Sequence, residues 1–267
     1  MNGTSAKLAA GFSLLEMMVA LVAGMIVVGA VLAFTMSSLR ANSDFVKSAR
    51  LMQELRNSSD YINSELKRAG YDEGAMTYVA NPTSTAVSKF APILVDTAAG
   101  ANCIIYAYDR PIIGGVGSPG AIDVANGEIR AIRRATSGGV GVIEVAESTT
   151  AVTPTCAGAS PDYSQYPVTC NASSGWCPLS DPRTLNIQAF TVNTAGSGTD
   201  SNGVRTLAGG SGFNALELRE FQLTITGSLV GDASVTRSVR SNVKVRADCL
   251  RASVAAVVTG CNVAPTP

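Results

Sequence analysis

The sequence predicts an α+β protein: one long N-terminal helix, apolar in its first half, with an antiparallel β-sheet packed on its amphipathic second half. Three observations predict it. Met17 to Leu39 is a run of 23 residues without a charge. Helical apolar spacing then continues to Ala69, with no proline before Pro82. Beyond Gly70, strand-like runs follow one another without helix-length patterns between them, which favours antiparallel pairing over βαβ units.

Composition narrows the function before any motif does. Apolar residues make up 46% of the 267 and charged ones 15%, enough material for a buried core and no case for general disorder. Lys plus Arg is 20 and Asp plus Glu is 20, a balance that argues against a dedicated nucleic-acid binder. Histidine is absent, which removes Ser–His–Asp and Cys–His catalysis and every histidine-bearing metal site. No Walker A or GxSxG pattern occurs. The chain is expected to be no enzyme, and no cofactor or metal is expected.

The uncharged run, at 1.5 Å per residue, reaches roughly 34 Å and can cross the ~30 Å hydrocarbon core of a bilayer. A cleaved secretory signal is the competing reading, with Val28-Gly29-Ala30 or Val31-Leu32-Ala33 as cut sites. The run is too long for a signal core, and the helix does not stop there. Apolar residues recur at Phe45, Ala49, Met52, Leu55, Ile62, Leu66 and Ala69, in steps of three, four or seven. Arg56 with Asp60, and Glu65 with Arg68, have the spacing of solvated helix pairs. One helix from Phe12 to about Ala69 is predicted, closed by Gly70. Gly24 and Gly29, five apart, lack GxxxG spacing and need no explanation beyond composition.

Glu16 stands just ahead of the apolar run. A carboxylate at membrane depth costs roughly 2.5–3.5 kcal/mol, so it is either functional or held at the cytoplasmic headgroup level.

Gly11-Phe12-Ser13-Leu14-Leu15-Glu16, preceded by Lys7, resembles the class III signal of type IV pilins and their pseudopilin relatives. The resemblance implies that prepilin peptidase cuts after Gly11 and that Phe12 becomes the N-methylated mature N-terminus. It also implies that Glu16 offsets the α-amine of a neighbouring subunit during filament assembly. That last role is physically reasonable, since two opposite charges in a low-dielectric bundle are each costly alone and tolerable together. The helix closing as Tyr61-Ile62-Asn63-Ser64-Glu65-Leu66-Lys67-Arg68-Ala69-Gly70-Tyr71 is similar to the first helix of PilW-type minor pilins.

The body of the chain is read from alternation and breakers. Residues 72–101 read as an irregular connection. Strands are expected at Cys103–Tyr108, Glu128–Arg133, Val140–Val145, Leu185–Val192, Leu216–Thr226 and Val235–Cys249, the last two forming a hairpin around Gly231-Asp232. The stretches 146–184 and 193–214 are rich in Gly, Ser, Pro and Asn and read as loops or an insertion. Four segments result: a leader (1–11), a membrane or filament-core half helix (12–39), an amphipathic half helix (40–70) and a β-rich domain with disulfides (71–267).

Six cysteines, Cys103, Cys156, Cys170, Cys177, Cys249 and Cys261, lack CxxC spacing. Their even number, in a domain delivered to an oxidising compartment, favours disulfides over thiolate metal binding. Fifteen pairings are open. Local closure favours Cys249 with Cys261 and one bridge within 156–177, leaving Cys103 to the remaining partner.

Weaker patterns complete the inventory. Ser64-x-x-Lys67 has the spacing of a nucleophile pair but reads as helix surface. Asp200-x-Asn202-Gly203 is a fragment of a calcium loop without its closing glutamate. Arg240, Lys244 and Arg246 share one face of the last strand. With Arg130, Arg133 and Arg134 they could form a cationic patch, or they could be solvated and paired with Glu217 or Glu220.

The resulting expectation is a PilW-type minor pilin that initiates assembly near the tip of a pilus serving adhesion and motility. Its implied partners are other minor and major pilins, prepilin peptidase, the inner-membrane assembly platform and, before assembly, inner-membrane lipid; nucleic acid is not expected. The precursor would cross the inner membrane once, leader in the cytoplasm and domain in the periplasm, and end on the cell surface. The alternatives are a J-type minor pseudopilin of type II secretion, a competence pilin binding DNA through the basic face, and an ordinary signal-anchored periplasmic protein.

Overall fold

A computed structural model of the chain describes residues 13–75, 88–96, 103–111, 120–194, 198–199, 213–253 and 261–267. Helix α1 spans Leu14–Arg68. The chain divides into two units, Met1–Lys47 and Ser48–Pro267, and the division falls within this helix.

In the first unit, the described residues are helical from Leu14 onward, and none of their apolar side chains is buried. Leu14, Met17, Leu21, Ile26, Leu32 and Phe34 are all more than half exposed.

In the second unit α1 buries one stripe: Leu51, Leu55, Ser58, Ser59, Ile62, Glu65 and Leu66. This corrects the predicted face. Leu51 replaces Met52 on the seam, while Phe45 and Ala49 are exposed. The seam residues 51, 55, 58, 62, 65 and 69 follow alternating steps of four and three, the spacing of a continuous helical contact. The helix closes with Lys67 and Arg68 in its last turn, where cations complement the carbonyl ends. Gly70 follows at φ +79°, and its N–H donates to the Ala107 carbonyl at 2.8 Å. A Cβ there would be strained by that φ and would lie 3.0 Å from both Ala247 Cβ and Arg219 Nη2.

Five strands make the first sheet: β1 (Ile93–Asp96), β2 (Cys103–Ala107), β3 (Ile129–Ser137), β4 (Val140–Glu147) and β5 (Trp176–Pro178). They pair in chain order, each antiparallel to the next. This sheet is buried on both faces. Ile104 and Tyr106 of β2 join Leu55, Ile62 and Leu66 of α1. The alternate residues Cys103, Ile105 and Ala107 join a second core with Phe90, Ile129 and Trp176. Two-sided burial explains why β2 reads as an uninterrupted apolar run rather than an alternation.

The second sheet consists of β6 (Leu185–Asn193), β9 (Glu220–Leu229) and β10 (Asp232–Lys244), in the order β10-β9-β6. A third consists of β7 (Gly198–Thr199), β8 (Phe213–Leu218) and β11 (Cys249–Ser253), in the order β11-β8-β7. A bulge in β6 between Ile187 and Ala189 lets Ile187 and Phe190, three apart, both enter the core. The first two sheets meet where Gly141 N–H donates to Asn186 Oδ1 at 2.8 Å and Arg134 Nε donates to the Ile187 carbonyl at 2.7 Å. A Cβ on Gly141 would strike that Ile187 carbonyl.

Several strand expectations need correction. The connection predicted over 72–101 contains β1. The stretch 146–184 contains the end of β4 and all of β5, and 193–214 contains β7 and the start of β8. Leu216–Thr226 is two strands in different sheets, broken at Arg219, and Val235–Cys249 likewise ends one strand and begins another. The break has a side-chain cause. Arg219 is buried, and its guanidinium donates to the carbonyls of Ala91 and Ala247 where the chain changes sheets. The expected β9–β10 pairing about Gly231 is observed.

Candidate functional site

Gly11 and Phe12 lie outside the described residues. Glu16 is in the first turn of α1 and exposed, where the partial positive charge of the helix end favours an acid. Ser13 stands three residues before it, the spacing of a capping box, and the Ser13 carbonyl accepts from Met17 N–H at 3.1 Å. The helix is long and apolar enough to cross a membrane. Its most apolar 18-residue window has a mean hydropathy of 2.7, and none of that window is buried. A Cβ at Gly24 or Gly29 would meet nothing within 4 Å. The apolar surface is thus uncovered in a single chain.

The second unit is anchored by a charge that sequence reasoning misplaced. Glu65 is buried rather than solvated. Its Oε2 accepts from Tyr106 OH at 3.2 Å, Tyr108 OH at 3.3 Å and Arg130 Nη1 at 3.0 Å, and its Oε1 accepts from Arg68 Nη1 at 3.3 Å. Arg130 Nη2 reaches Glu147 at 2.7 Å, so one guanidinium bridges two carboxylates. Burial, reinforced by the Glu65 charge, pushes the phenol of Tyr106 well above its ordinary range and raises Tyr108 and Tyr61 as well. Burial also pulls on the Arg130 guanidinium, but Tyr108, Glu65 and the other neighbours outweigh it and hold the proton more firmly. A signal for Glu65 existed: it lies on the 51-55-58-62-65-69 seam, between Ile62 and Ala69.

A second network fixes the long excursion after β4. Arg133 Nε and Nη2 donate to Glu144 Oε2 at 2.8 and 2.7 Å. Its Nη1 donates to the carbonyls of Cys156 and Gly158, and the guanidinium lies 4.0 Å over the Trp176 ring. Tyr163 OH donates to Glu144 Oε1 at 3.0 Å, and burial together with that carboxylate raises its pKa. Both charges are buried, paired and hydrogen-bonded, as a buried ion pair must be. Three disulfides join Cys103 to Cys156, Cys170 to Cys177 and Cys249 to Cys261.

The structure divides the predicted basic patch. Arg240, Lys244 and Arg246 are exposed, with Lys244 opposite Glu220 in the β9–β10 register. Of Arg130, Arg133 and Arg134, only Arg130 comes near one of them, sharing the wall of a concavity with Arg246. These three belong to the first sheet and are turned to Glu65, Glu144 and the Ile187 carbonyl, because each finds an acceptor there. Ser64 Oγ donates to the Tyr61 carbonyl of its own helix at 2.8 Å, an ordinary surface bond. The Asp200, Asn202 and Gly203 pattern lies outside the described residues.

Residues 7–32 match the model of the prokaryotic N-terminal methylation motif. Residues 44–245 match that of the prepilin peptidase-dependent protein B family. The chain belongs to the prepilin peptidase-dependent protein B family. It is a type IV pilin-like protein with a class III signal. The family match runs from the second half of α1 to the end of β10, so it contains the Glu65 cluster and the Arg133–Glu144 network. Arg246 and the Cys249–Cys261 bridge lie beyond it. No curated protein and no solved structure matches the chain.

Proposed function

We propose that this chain is a PilW-type minor pilin, a non-catalytic subunit that enters a type IV pilus and helps to initiate its assembly near the tip. The carrying observation is the exposed apolar surface of the first half of α1, from Leu14 to Val46, headed by Glu16. Such a surface is stable in lipid before assembly and among other apolar helices afterwards, and in neither case in water. In this reading prepilin peptidase cuts after Gly11 and Phe12 is methylated. The leader lies in the cytoplasm and the domain in the periplasm until the assembly platform extracts the subunit. Glu16 then accepts the α-amine of a neighbouring major or minor pilin, which sets the axial register of the filament.

Mass spectrometry of the mature N-terminus tests this. A chain beginning with methylated Phe12 is expected. A chain beginning after Ala30 or Ala33 would make this an ordinary secreted protein and sink the proposal.

A further inference from the structure

Five cations converge on one concavity of about 470 Å³ at the C-terminal end of α1: Lys67, Arg68, Arg110, Arg130 and Arg246. Its walls include Tyr71, Tyr108 and Pro111, so the interior offers aromatic and aliphatic surface beneath a basic rim. The volume lies in the range of small-ligand and side-chain pockets.

The charges do not cancel. Glu65 is shared by Arg68 and Arg130, at 3.3 and 3.0 Å. Glu147 is shared by Arg130 and Arg110, at 2.7 and 3.8 Å. Asp109 also lines the pocket, and its Oδ2 accepts from Glu73 N–H at 3.0 Å. Glu128 Oε1 accepts from Arg110 N–H at 3.2 Å, so five cations face four carboxylates. The surplus falls on Lys67 and Arg246, both exposed and neither in an ion pair among the described residues.

We propose that this pocket binds an acidic peptide segment of a partner protein, one carboxylate seated between Lys67 and Arg246 and an adjacent aromatic or aliphatic side chain against Tyr71 and Tyr108. Arginine and lysine around a carboxylate make charge-assisted hydrogen bonds, and the aromatic walls supply apolar contact at little entropic cost. A nucleic-acid strand would need cations spaced along a track, whereas these converge on one concavity. The proposal goes beyond the pilus reading, since the pocket chemistry would hold for a partner inside or outside a filament.

The test uses the full-length protein in detergent micelles and the labelled peptide acetyl-Gly-Phe-Glu-Phe-Gly-amide, followed by fluorescence anisotropy. Saturable binding is expected, weakened by salt and reduced about tenfold or more when the peptide's Glu is replaced by Gln. The double variant Lys67→Ala/Arg246→Ala should lose a similar factor, while Lys67→Arg/Arg246→Lys should retain binding and so separate charge from fold. Absence of saturable binding, equal affinity for the Gln peptide, or unchanged affinity in the double alanine variant would overturn the proposal. So would equally tight binding of N-acetylphenylalanine, which would make the site one for small carboxylates, or of an oligothymidylate. Filament incorporation is not part of the readout, so failure here leaves the subunit reading standing.

Discussion

The Glu65 carboxylate meets the Arg130 guanidinium at 3.0 Å, with the two side chains only 6% and 15% exposed. This contact joins the last turns of α1 to the middle of the first sheet and sits at the edge of the main core. Two phenol hydroxyls complete the coordination of the carboxylate. A buried charge satisfied in this way specifies one docking of helix on sheet, because sliding either element would strand it.

Replacing Glu65 with Ala should therefore be costly. Arg130 keeps Glu147, but the hydroxyls of Tyr106 and Tyr108 lose their acceptor. Two buried hydroxyls left without an acceptor cost about 1–3 kcal/mol each, so a loss of about 2–6 kcal/mol in urea unfolding is expected. A loss below about 1 kcal/mol would mean that the cluster behaves as a surface pair.

Alkaline pH should unfold the domain through the same tyrosines. Tyr106 is the clearest case: its folded-state pKa is raised, first by burial and then by Glu65. In the pH window between the unfolded and folded pKa values, the unfolded chain binds fewer protons than the folded one, so stability falls as pH rises. That contribution is complete below about pH 10, the ordinary tyrosine value, and is lost above it. Tyr106→Phe should flatten the decline in melting temperature above that pH. An unchanged slope in the variant would remove Tyr106 as its source.

The disulfides should contribute unequally. Cys103–Cys156 closes 53 residues and Cys170–Cys177 only 7. On chain entropy alone, the first should stabilise by about 4 kcal/mol and the second by about 2 kcal/mol. Paired Cys→Ser variants compared by denaturant midpoints will check the order. The reverse order would indicate that the enthalpy of the folded loops outweighs chain entropy.

Glu16→Ala should leave the precursor cut and membrane-bound but poorly incorporated into filaments. Incorporation at the level of the unsubstituted chain, measured in sheared pilus fractions, would rule out the register role. Because Ser13 and Glu16 also have capping-box spacing, Glu16→Gln is the informative companion. It keeps the capping donor–acceptor geometry and removes the charge.

What could be read from sequence and what could not differ in range. Leu55, Ile62 and Leu66 lie on a face visible in their spacing, whereas Leu51 takes the place that spacing gives to Met52, and β2 is visible as an apolar run. Glu65 lies on the same face, yet its charge and its distance of three from Arg68 suggest a solvated pair. Only Tyr106, Tyr108 and Arg130, brought in from β2, the residue just beyond it, and β3, make its burial tolerable. Arg133 is similar: basic and adjacent to Arg134, it turns inward because Glu144 and two carbonyls wait there.

The sequence alone determined the properties that nearest neighbours along the chain control. These are the long uncharged helix, the acid at its head, the break at Gly70 and the cysteines available for bridging. Periodicity and charge spacing are local, and the 1.5 Å rise turns them directly into length and face. The tertiary structure decided which charges are buried, where Arg219 breaks one apparent strand into two, and how the basic residues divide between a closed network and an open pocket. Those outcomes depend on partners far apart in sequence, since the cost of burying a charge is set by what surrounds it in space.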